Sequence, residues 1–341
     1  MPDNVKNLSY AEAVNAALGR ALEEYPNALL FGEDVAVPGG VFGVTKGLQR
    51  KFGDRVFDTP ISESAILGGA IGAAMVGRRP IAEIMWVDFS LVALDQLVNQ
   101  AANVRYVTRG RLTAPITVRT QQGSAPGACA QHSQSLEAIF AHIPGLQVCM
   151  PATTQDAYDL LTASIATDDP TVVIENRTLY HAGKSEVRLG GSVQEIGRSA
   201  VRRPGDDVTV VTWGAIQARV IEAADRLAGS GISAEVIDLR WVRPWDLDGV
   251  LASVRKTGRV VIAHEAHTTG GFGAEVLSSV VEAGTILRSA PIRVGTPDVR
   301  IPASVGLASQ VIPSVDRIEA AIRASAAPPA LAGRERQLAV N

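Results

Sequence analysis

The sequence predicts an α/β protein that is built on parallel sheets and divided into two domains. Short apolar runs alternate with helical segments of about 10–15 residues, which is the pattern of parallel strands joined by crossover helices. A length of 341 residues suits two domains, since one domain per ~150 residues is usual. The alternation stops in a stretch rich in glycine and proline and then resumes. We therefore predict a first domain over residues 1–180, a linker over 181–205, a smaller α/β domain over 206–326 and a flexible tail over 327–341.

Capping residues and apolar runs place the elements of the first domain. Ser9 and Glu12 form the Ser-x-x-Glu capping box of an opening helix, which Pro26 ends. Short apolar runs between turn residues mark buried strands, and apolar residues at helical spacing mark amphipathic helices. The predicted helices are 9–25, 63–76, 88–106, 133–142 and 154–166, and the predicted strands are 28–32, 55–59, 80–86, 115–119, 146–150 and 171–175.

The same alternation places the elements of the second domain. Each predicted strand is an apolar run, and a segment with helical periodicity follows it. The predicted strands are 207–212, 234–239, 259–263 and 291–294, and the predicted helices are 216–228, 247–256, 274–283 and 315–326.

Composition and charge disfavour several classes of function. A net charge of −3 and a pI near 6.0 do not indicate the basic face that nucleic-acid binding requires. No apolar run approaches the ~18 residues of a membrane span. Cys129 and Cys149 are too few for a disulfide framework, and the N-terminal residues resemble neither a signal peptide nor an Arg-rich transit sequence. We therefore expect a cytoplasmic protein with no nucleic-acid or membrane partner.

One candidate site lies at residues 58–63, where a predicted strand meets a helix. Open parallel sheets bind ligands beyond the carboxyl ends of their strands. In the structural interpretation Ser62 caps the helix and Glu63 complements its dipole, worth ~0.3–1 kcal/mol. In the functional interpretation the Glu63 carboxylate projects into a cleft and exchanges a proton with a bound heterocycle. Composition alone favours the structural interpretation.

A second candidate is His132, which follows another predicted strand and precedes a predicted helix. A lone histidine in a loop is more often a surface residue than a catalyst. The nearby Gly123 and Gly127, however, would let a substrate approach the backbone closely. Because the chain has only five histidines, His132 is retained as a candidate.

The segment His264-Glu265-Ala266-His267, followed by Gly270–Gly273, is the third candidate. It does not match the His-Glu-x-x-His motif of zinc proteases, and Val276 replaces the third glycine of the dinucleotide fingerprint. The phosphate-binding Gly-x-x-x-x-Gly-Lys-Ser/Thr loop and the Gly-x-Ser-x-Gly nucleophile elbow are also absent from the sequence. We expect this segment to form a helix-start anion site or a tight interface turn.

Four short motifs in this order resemble one enzyme family. They are Thr59-Pro60-Ile61-Ser62-Glu63, Ala130-Gln131-His132-Ser133-Gln134, His142-Ile143-Pro144-Gly145-Leu146 and Gly270-Gly271-Phe272-Gly273-Ala274-Glu275. Together they are similar to the β subunit of the thiamine-diphosphate-dependent 2-oxo-acid dehydrogenases, which include pyruvate, branched-chain and acetoin types. The resemblance covers about residues 7–325 and implies a transketolase-like pyrimidine-binding domain followed by a transketolase C-terminal domain.

The resemblance also implies roles for individual residues. Glu63 matches the glutamate that hydrogen-bonds the cofactor's aminopyrimidine and activates the cofactor for attack on a 2-oxo acid. Phe89 matches the aromatic residue that packs on the pyrimidine, and Glu33 is assigned to cofactor binding. His132 matches the histidine that handles protons of the substrate or of the lipoyl group that accepts the acyl product.

The resemblance further implies that this chain carries half of a site. The Gly-Asp-Gly motif that holds magnesium and the diphosphate in such enzymes is absent from the sequence. An α subunit would then supply that half, with its magnesium, in an α2β2 assembly that docks on a lipoyl acyltransferase core. A monovalent cation, potassium in type, is expected near Ile116, Ile165 and Asp169, at a turn where Thr167 replaces a frequent acid.

Three other functions remain open at this point. A split transketolase or a deoxyxylulose-phosphate synthase would use the same cofactor on sugar phosphates, although the motifs around Glu63 and His132 argue against both. In a non-catalytic partner-binding subunit, Glu63 would be only a helix cap. An NAD-dependent dehydrogenase lacks its glycine fingerprint here. The identity of the 2-oxo acid is also open, because the α subunit shapes much of the pocket.

Overall fold

Strands and helices alternate along residues 4–327, the part of the chain that this computed structural model describes. The strands are β1 (Asn4–Leu8), β2 (Ala28–Gly32), β3 (Val56–Asp58), β4 (Arg79–Ile84), β5 (Thr117–Gln122), β6 (Gln147–Cys149), β7 (Thr171–Asn176), β8 (Ser185–Leu189), β9 (Ala200–Arg203), β10 (Val208–Thr212), β11 (Ala234–Asp238), β12 (Trp241–Arg243), β13 (Val260–His267) and β14 (Ile292–Thr296). Within the described range, no helix combines the length and the hydropathy needed to cross a bilayer.

The α-helices match the predicted ones in most places. They are α1 (Tyr10–Glu24), α2 (Leu48–Phe52), α3 (Glu63–Met75), α4 (Val104–Val107), α5 (Glu137–Ala141), α6 (Thr154–Ala166), α7 (Arg177–Tyr180), α8 (Ile216–Ala228), α9 (Leu247–Thr257), α10 (Gly273–Glu282), α11 (Val305–Val311) and α12 (Val315–Ala326). The Ser9–Glu12 capping box at the start of α1 is confirmed. Of the predicted flexible tail, residues 328–341 lie outside the described residues.

The larger sheet has seven strands in the order β12-β6-β7-β5-β4-β2-β3. All neighbours run parallel except β12, which is antiparallel to β6. Helices α1 and α6 pack on one face, and α3 packs on the other. Because both faces are covered, the parallel strands are apolar along most of their length. The predicted parallel α/β arrangement is therefore confirmed.

A strand from the second half of the chain completes this sheet. Trp241 in β12 lies opposite Cys149 in β6, and both side chains are fully buried. One apolar cluster also contains residues of both sheets, with Phe140 from the first half and Phe272 from the second. The two halves therefore share a core as well as a strand.

The smaller sheet has five strands in the order β14-β13-β10-β11-β9, of which only β9 is antiparallel to its neighbour. The segment predicted as a linker, 181–205, contains two strands. One of them, β8, forms an antiparallel ribbon with β1, and the other, β9, is the edge strand of this sheet. The sequence signals neither strand, because both are short, partly exposed and rich in charged residues.

The prediction of one continuous helix over 88–106 is wrong. The chain forms a 3₁₀ segment (Val87–Ala93), a π turn (Gln96–Gln100), a second 3₁₀ turn and the short α4. Asn103 donates its side-chain amide to two carbonyls of the preceding turn. Such bonds compete with the backbone bonds of a regular helix. Apolar spacing alone does not detect this competition.

Candidate active site

The structure brings the predicted site residues to one edge of the larger sheet. Glu63 follows β3 and Glu33 follows β2. Phe89 follows β4 and His132 follows β5. Because these strands are neighbours in the order β5-β4-β2-β3, their carboxyl ends lie along one edge of the sheet. This edge, where α/β proteins bind ligands, is called the crevice from here on.

Glu33 and Glu63 are two nearby buried carboxyl groups in this crevice. Their residues are 7% and 9% exposed. Burial raises the pKa of Glu33, and the neighbouring carboxylates, Glu63 first among them, raise it further. The Oε1 atom of Glu33 is buried and has no hydrogen-bond partner among the described residues. A perturbed carboxyl in a crevice is typical of functional sites.

Glu63 is the first residue of α3, but the predicted Ser62 cap is wrong, because the Ser62 side chain makes no capping hydrogen bond. Of the structural interpretation, only the interaction of Glu63 with the helix dipole is left. Next to Glu63 the surface is open: Ile61 is 80% exposed, and an apolar cavity of about 290 Å³ is lined in part by Phe57 and Gly69. Glu63 is thus buried within this chain beside an exposed, partly apolar surface.

His132 lies in the loop between β5 and α5, because α5 begins only at Glu137 and not at residue 133 as predicted. Its ring packs edge-on against Phe89, with ring centroids 5.3 Å apart. A second edge-on contact joins His132 to Trp86 at 5.8 Å. The aromatic residue and the histidine that the sequence assigned to separate roles are therefore direct neighbours.

Several other polar atoms at this end of the sheet are buried without a partner among residues 4–327. They are the Oγ1 of Thr59, the amide of Gln122 and the Oγ of Ser133. An unsatisfied buried polar group costs about 1–3 kcal/mol, so native proteins usually pair such groups with protein, water or ligand. Together with Glu33, these atoms fit a polar heterocycle bound in the crevice.

The residues predicted to hold a monovalent cation are paired with protein donors. The carbonyl of Ile116 accepts a backbone N–H at 3.0 Å, and the carbonyl of Ile165 accepts Nη1 of Arg79 at 2.7 Å. The carboxylate of Asp169 bonds Arg105 at 2.6 Å. Arg79 places a positive charge at this turn, which does not favour a second cation. The monovalent cation stays a prediction.

The third candidate segment packs as a tight turn. His264 is fully buried and stacks on Trp213, with centroids 5.2 Å apart. A Cβ on Gly271 or Gly273 would lie within 2.7 Å of the His264 ring, so only glycine permits this packing. Burial lowers the pKa of His264 to about 4, and the ring is therefore neutral at pH 7.

His264 is expected to make stability pH-dependent. Its pKa is below the 6.5 of an exposed histidine, so the unfolded chain takes up a proton first as the pH falls. The stabilisation is complete above pH 6.5 and is lost as the pH falls toward 4, by about 2 kcal/mol at pH 5. Between pH 8 and pH 5, the melting temperature of His264→Gln should fall less than that of the unsubstituted protein. The exposed His181→Gln is the control, and an equal drop in His264→Gln and the unsubstituted protein would contradict the assignment.

Sequence reasoning missed one residue of this site, Arg177, which directly follows β7. It is 6% exposed, and its guanidinium donates to the carbonyls of Gly123 and His132. A signal was available, because ligands bind beyond the carboxyl ends of parallel strands and Arg177 lies just past the predicted strand 171–175.

Two protein families match this chain. The transketolase pyrimidine-binding domain matches residues 6–182, and the transketolase C-terminal domain matches residues 197–318. Among solved structures, a split-gene transketolase described as an inactive β4 tetramer superposes with a TM-score of 0.77 at 24% identity and covers 94% of this chain and 99% of its own. That likeness supports the fold.

Curated relatives are more similar in sequence. The β subunit of acetoin:2,6-dichlorophenolindophenol oxidoreductase from Cupriavidus necator is 41% identical over 93% of this chain and 97% of its own length. The 2-oxoisovalerate dehydrogenase β subunit from Bacillus subtilis is 40% identical over 93% of this chain and 98% of its own length. The pyruvate dehydrogenase E1 β subunit from the same organism is 41% identical over 87% of this chain and 92% of its own length. The chain therefore belongs to the family of β subunits of the thiamine-diphosphate-dependent 2-oxo-acid and acetoin dehydrogenases.

Proposed function

We propose that this chain supplies the aminopyrimidine side of a thiamine diphosphate site that it shares with an α subunit, for the oxidative decarboxylation of a 2-oxo acid or the cleavage of acetoin. The observation that carries the proposal is the buried Glu33–Glu63 carboxyl pair beside an open face of the protein. A glutamate that served only to cap a helix would not need a second, unpartnered acid beside it.

The residues of the crevice fit this cofactor. Thiamine diphosphate, when bound, supplies the electron sink for loss of carbon dioxide. Glu63 would exchange a proton with a pyrimidine nitrogen, and Glu33 would offer its unpaired Oε1. Phe89 would pack on the pyrimidine ring.

His132 has a separate task in this proposal. Transfer of the acyl group to a lipoyl disulfide breaks the S–S bond: one sulfur takes the acyl group, and the other takes two electrons and a proton. The fragment that remains after loss of carbon dioxide is at the aldehyde level of oxidation, and its conversion to the acyl level supplies the two electrons. His132 would deliver the proton, a service worth about 10²–10⁴ in rate.

The proposal includes partners. An α subunit would hold magnesium and the diphosphate, in an α2β2 assembly that docks on a lipoyl acyltransferase core; the absence of Gly-Asp-Gly from this sequence supports that division. The two unpaired cysteines suit a reducing compartment such as the cytoplasm. The three relatives with three different substrates are 40–41% identical, so identity does not select among them.

Reconstitution tests the shared site. The chain should be co-expressed with an α-type subunit that carries Gly-Asp-Gly and assayed with pyruvate, 2-oxoisovalerate and acetoin, using 2,6-dichlorophenolindophenol as the electron acceptor. We expect turnover of one of them by the pair and none by either subunit alone. Turnover by the pure chain with magnesium and thiamine diphosphate would contradict the half-site. Turnover only of a ketose phosphate would favour a split transketolase, the alternative that the fold likeness supports.

A further inference from the structure

Arg177 holds the loop that carries His132. Its guanidinium donates to the carbonyl of Gly123, where the loop leaves β5, and to the carbonyl of His132 itself. Arg177 is 6% exposed, so water competes little for these carbonyls and each bond is stronger than at the surface. One side chain therefore fixes both the base of the loop and its histidine.

Arg177 also supports the ring of His132 through Trp86. The guanidinium carbon lies 4.6 Å from the centre of the Trp86 ring, a cation–π contact. Trp86 in turn packs edge-on against His132 from one direction, and Phe89 does so from another. The backbone and the ring of His132 are thus both restrained, and Arg177 takes part in both restraints.

Neighbouring contacts keep this arrangement in place. Asp88 accepts the backbone N–H of Gln134 at 3.2 Å, two residues beyond His132. Asn176, the residue before Arg177, donates to the half-buried Glu265 of the second sheet at 2.7 Å. The loop is therefore anchored on both sides of His132, and its anchor reaches into the other half of the chain.

We propose that Arg177 is a positioning residue that aims His132 for proton transfer during acyl transfer. This inference rests on the proposed function, because it takes His132 as the proton-transferring group. A lysine would not replace Arg177 fully. Both bonds come from Nη2, so an ammonium could donate to both carbonyls, but it lacks the planar guanidinium that lies over the Trp86 ring. An error of about 1 Å in the position of a reacting group can cost ~10²-fold in rate.

The test separates the step that uses His132 from the step that does not. In the reconstituted assembly, Arg177→Lys and Arg177→Gln should lower kcat for acyl transfer to oxidised lipoamide by ~10²-fold. Dye-linked turnover with 2,6-dichlorophenolindophenol should stay within about threefold, and the KM for the 2-oxo acid should not change. A merely structural role would lower both activities together.

A double-mutant cycle shows whether Arg177 acts through His132. If it does, Arg177→Lys should add nothing to the loss caused by His132→Gln. Arg317→Lys is the matched control, because Arg317 also donates to two backbone carbonyls but lies in the second half of the chain. Independent, additive losses or unchanged lipoamide transfer in Arg177→Lys would overturn the inference. Absence of any turnover in the unsubstituted assembly would instead overturn the proposed function.

Discussion

Glu63→Gln in the reconstituted assembly is expected to lower turnover by about 10²–10⁴-fold, the range for a positioned acid–base group. Glutamine keeps the size and hydrogen-bonding capacity of glutamate but does not exchange a proton. Because the proposed proton exchange at Glu63 precedes both reactions, the loss should appear in both dye-linked turnover and lipoamide transfer. Steady-state rates at saturating thiamine diphosphate measure it.

The matched control for this variant is Glu275→Gln. Glu275 is an exposed glutamate in the first turn of α10, so it has the helix-dipole role without a second carboxyl group such as Glu33 beside it. Both variants should lose only about 0.3–1 kcal/mol of stability from the dipole, as thermal unfolding would show. Normal turnover by a folded Glu63→Gln assembly would mean that Glu63 is a helix-terminal residue and that the chain has a non-catalytic, partner-binding role.

His132→Gln should produce a different pattern of loss. We expect transfer to lipoamide to fall by about 10²–10⁴-fold, while dye-linked turnover falls much less, because the dye needs no proton at a leaving sulfur. Comparing the two rates in one preparation gives the result. The exposed His181→Gln should leave both rates unchanged. Equal losses in the two assays would move His132 from acyl transfer to the decarboxylation step.

Much of the secondary structure follows from local signals. The predicted bounds of α6, α8 and α12 agree with the structure, because apolar periodicity and capping residues act within a few turns of helix. Strands that are exposed, or that join a sheet formed by the other half of the chain, carry no such signal. β1 and β8 pair only with each other, and β12 is three residues long and joins a sheet formed mainly by the other half of the chain.

Strand β5 shows how a tertiary contact overrides a local signal. The predicted strand ends at Arg119, yet the observed strand continues to Gln122 and is buried throughout. Arg119 is fully buried because Glu83 and Glu175, on the two neighbouring strands, bond its guanidinium at 2.6 and 2.7 Å. A buried charge is tolerated only when it is paired, and the partners lie 36 and 56 residues away.

The amino-acid sequence by itself determined the α/β class, most helices and the strand ends after which Glu33, Glu63, Phe89 and His132 lie, because periodicity, capping and strand-end chemistry are local. The tertiary structure decided that these residues share one crevice, that Ser62 does not cap α3, and that Arg177 holds His132. These facts depend on which strands are neighbours and on which backbone carbonyls lie within reach of the Arg177 guanidinium. Such relations join residues far apart in the chain, and no local pattern encodes them.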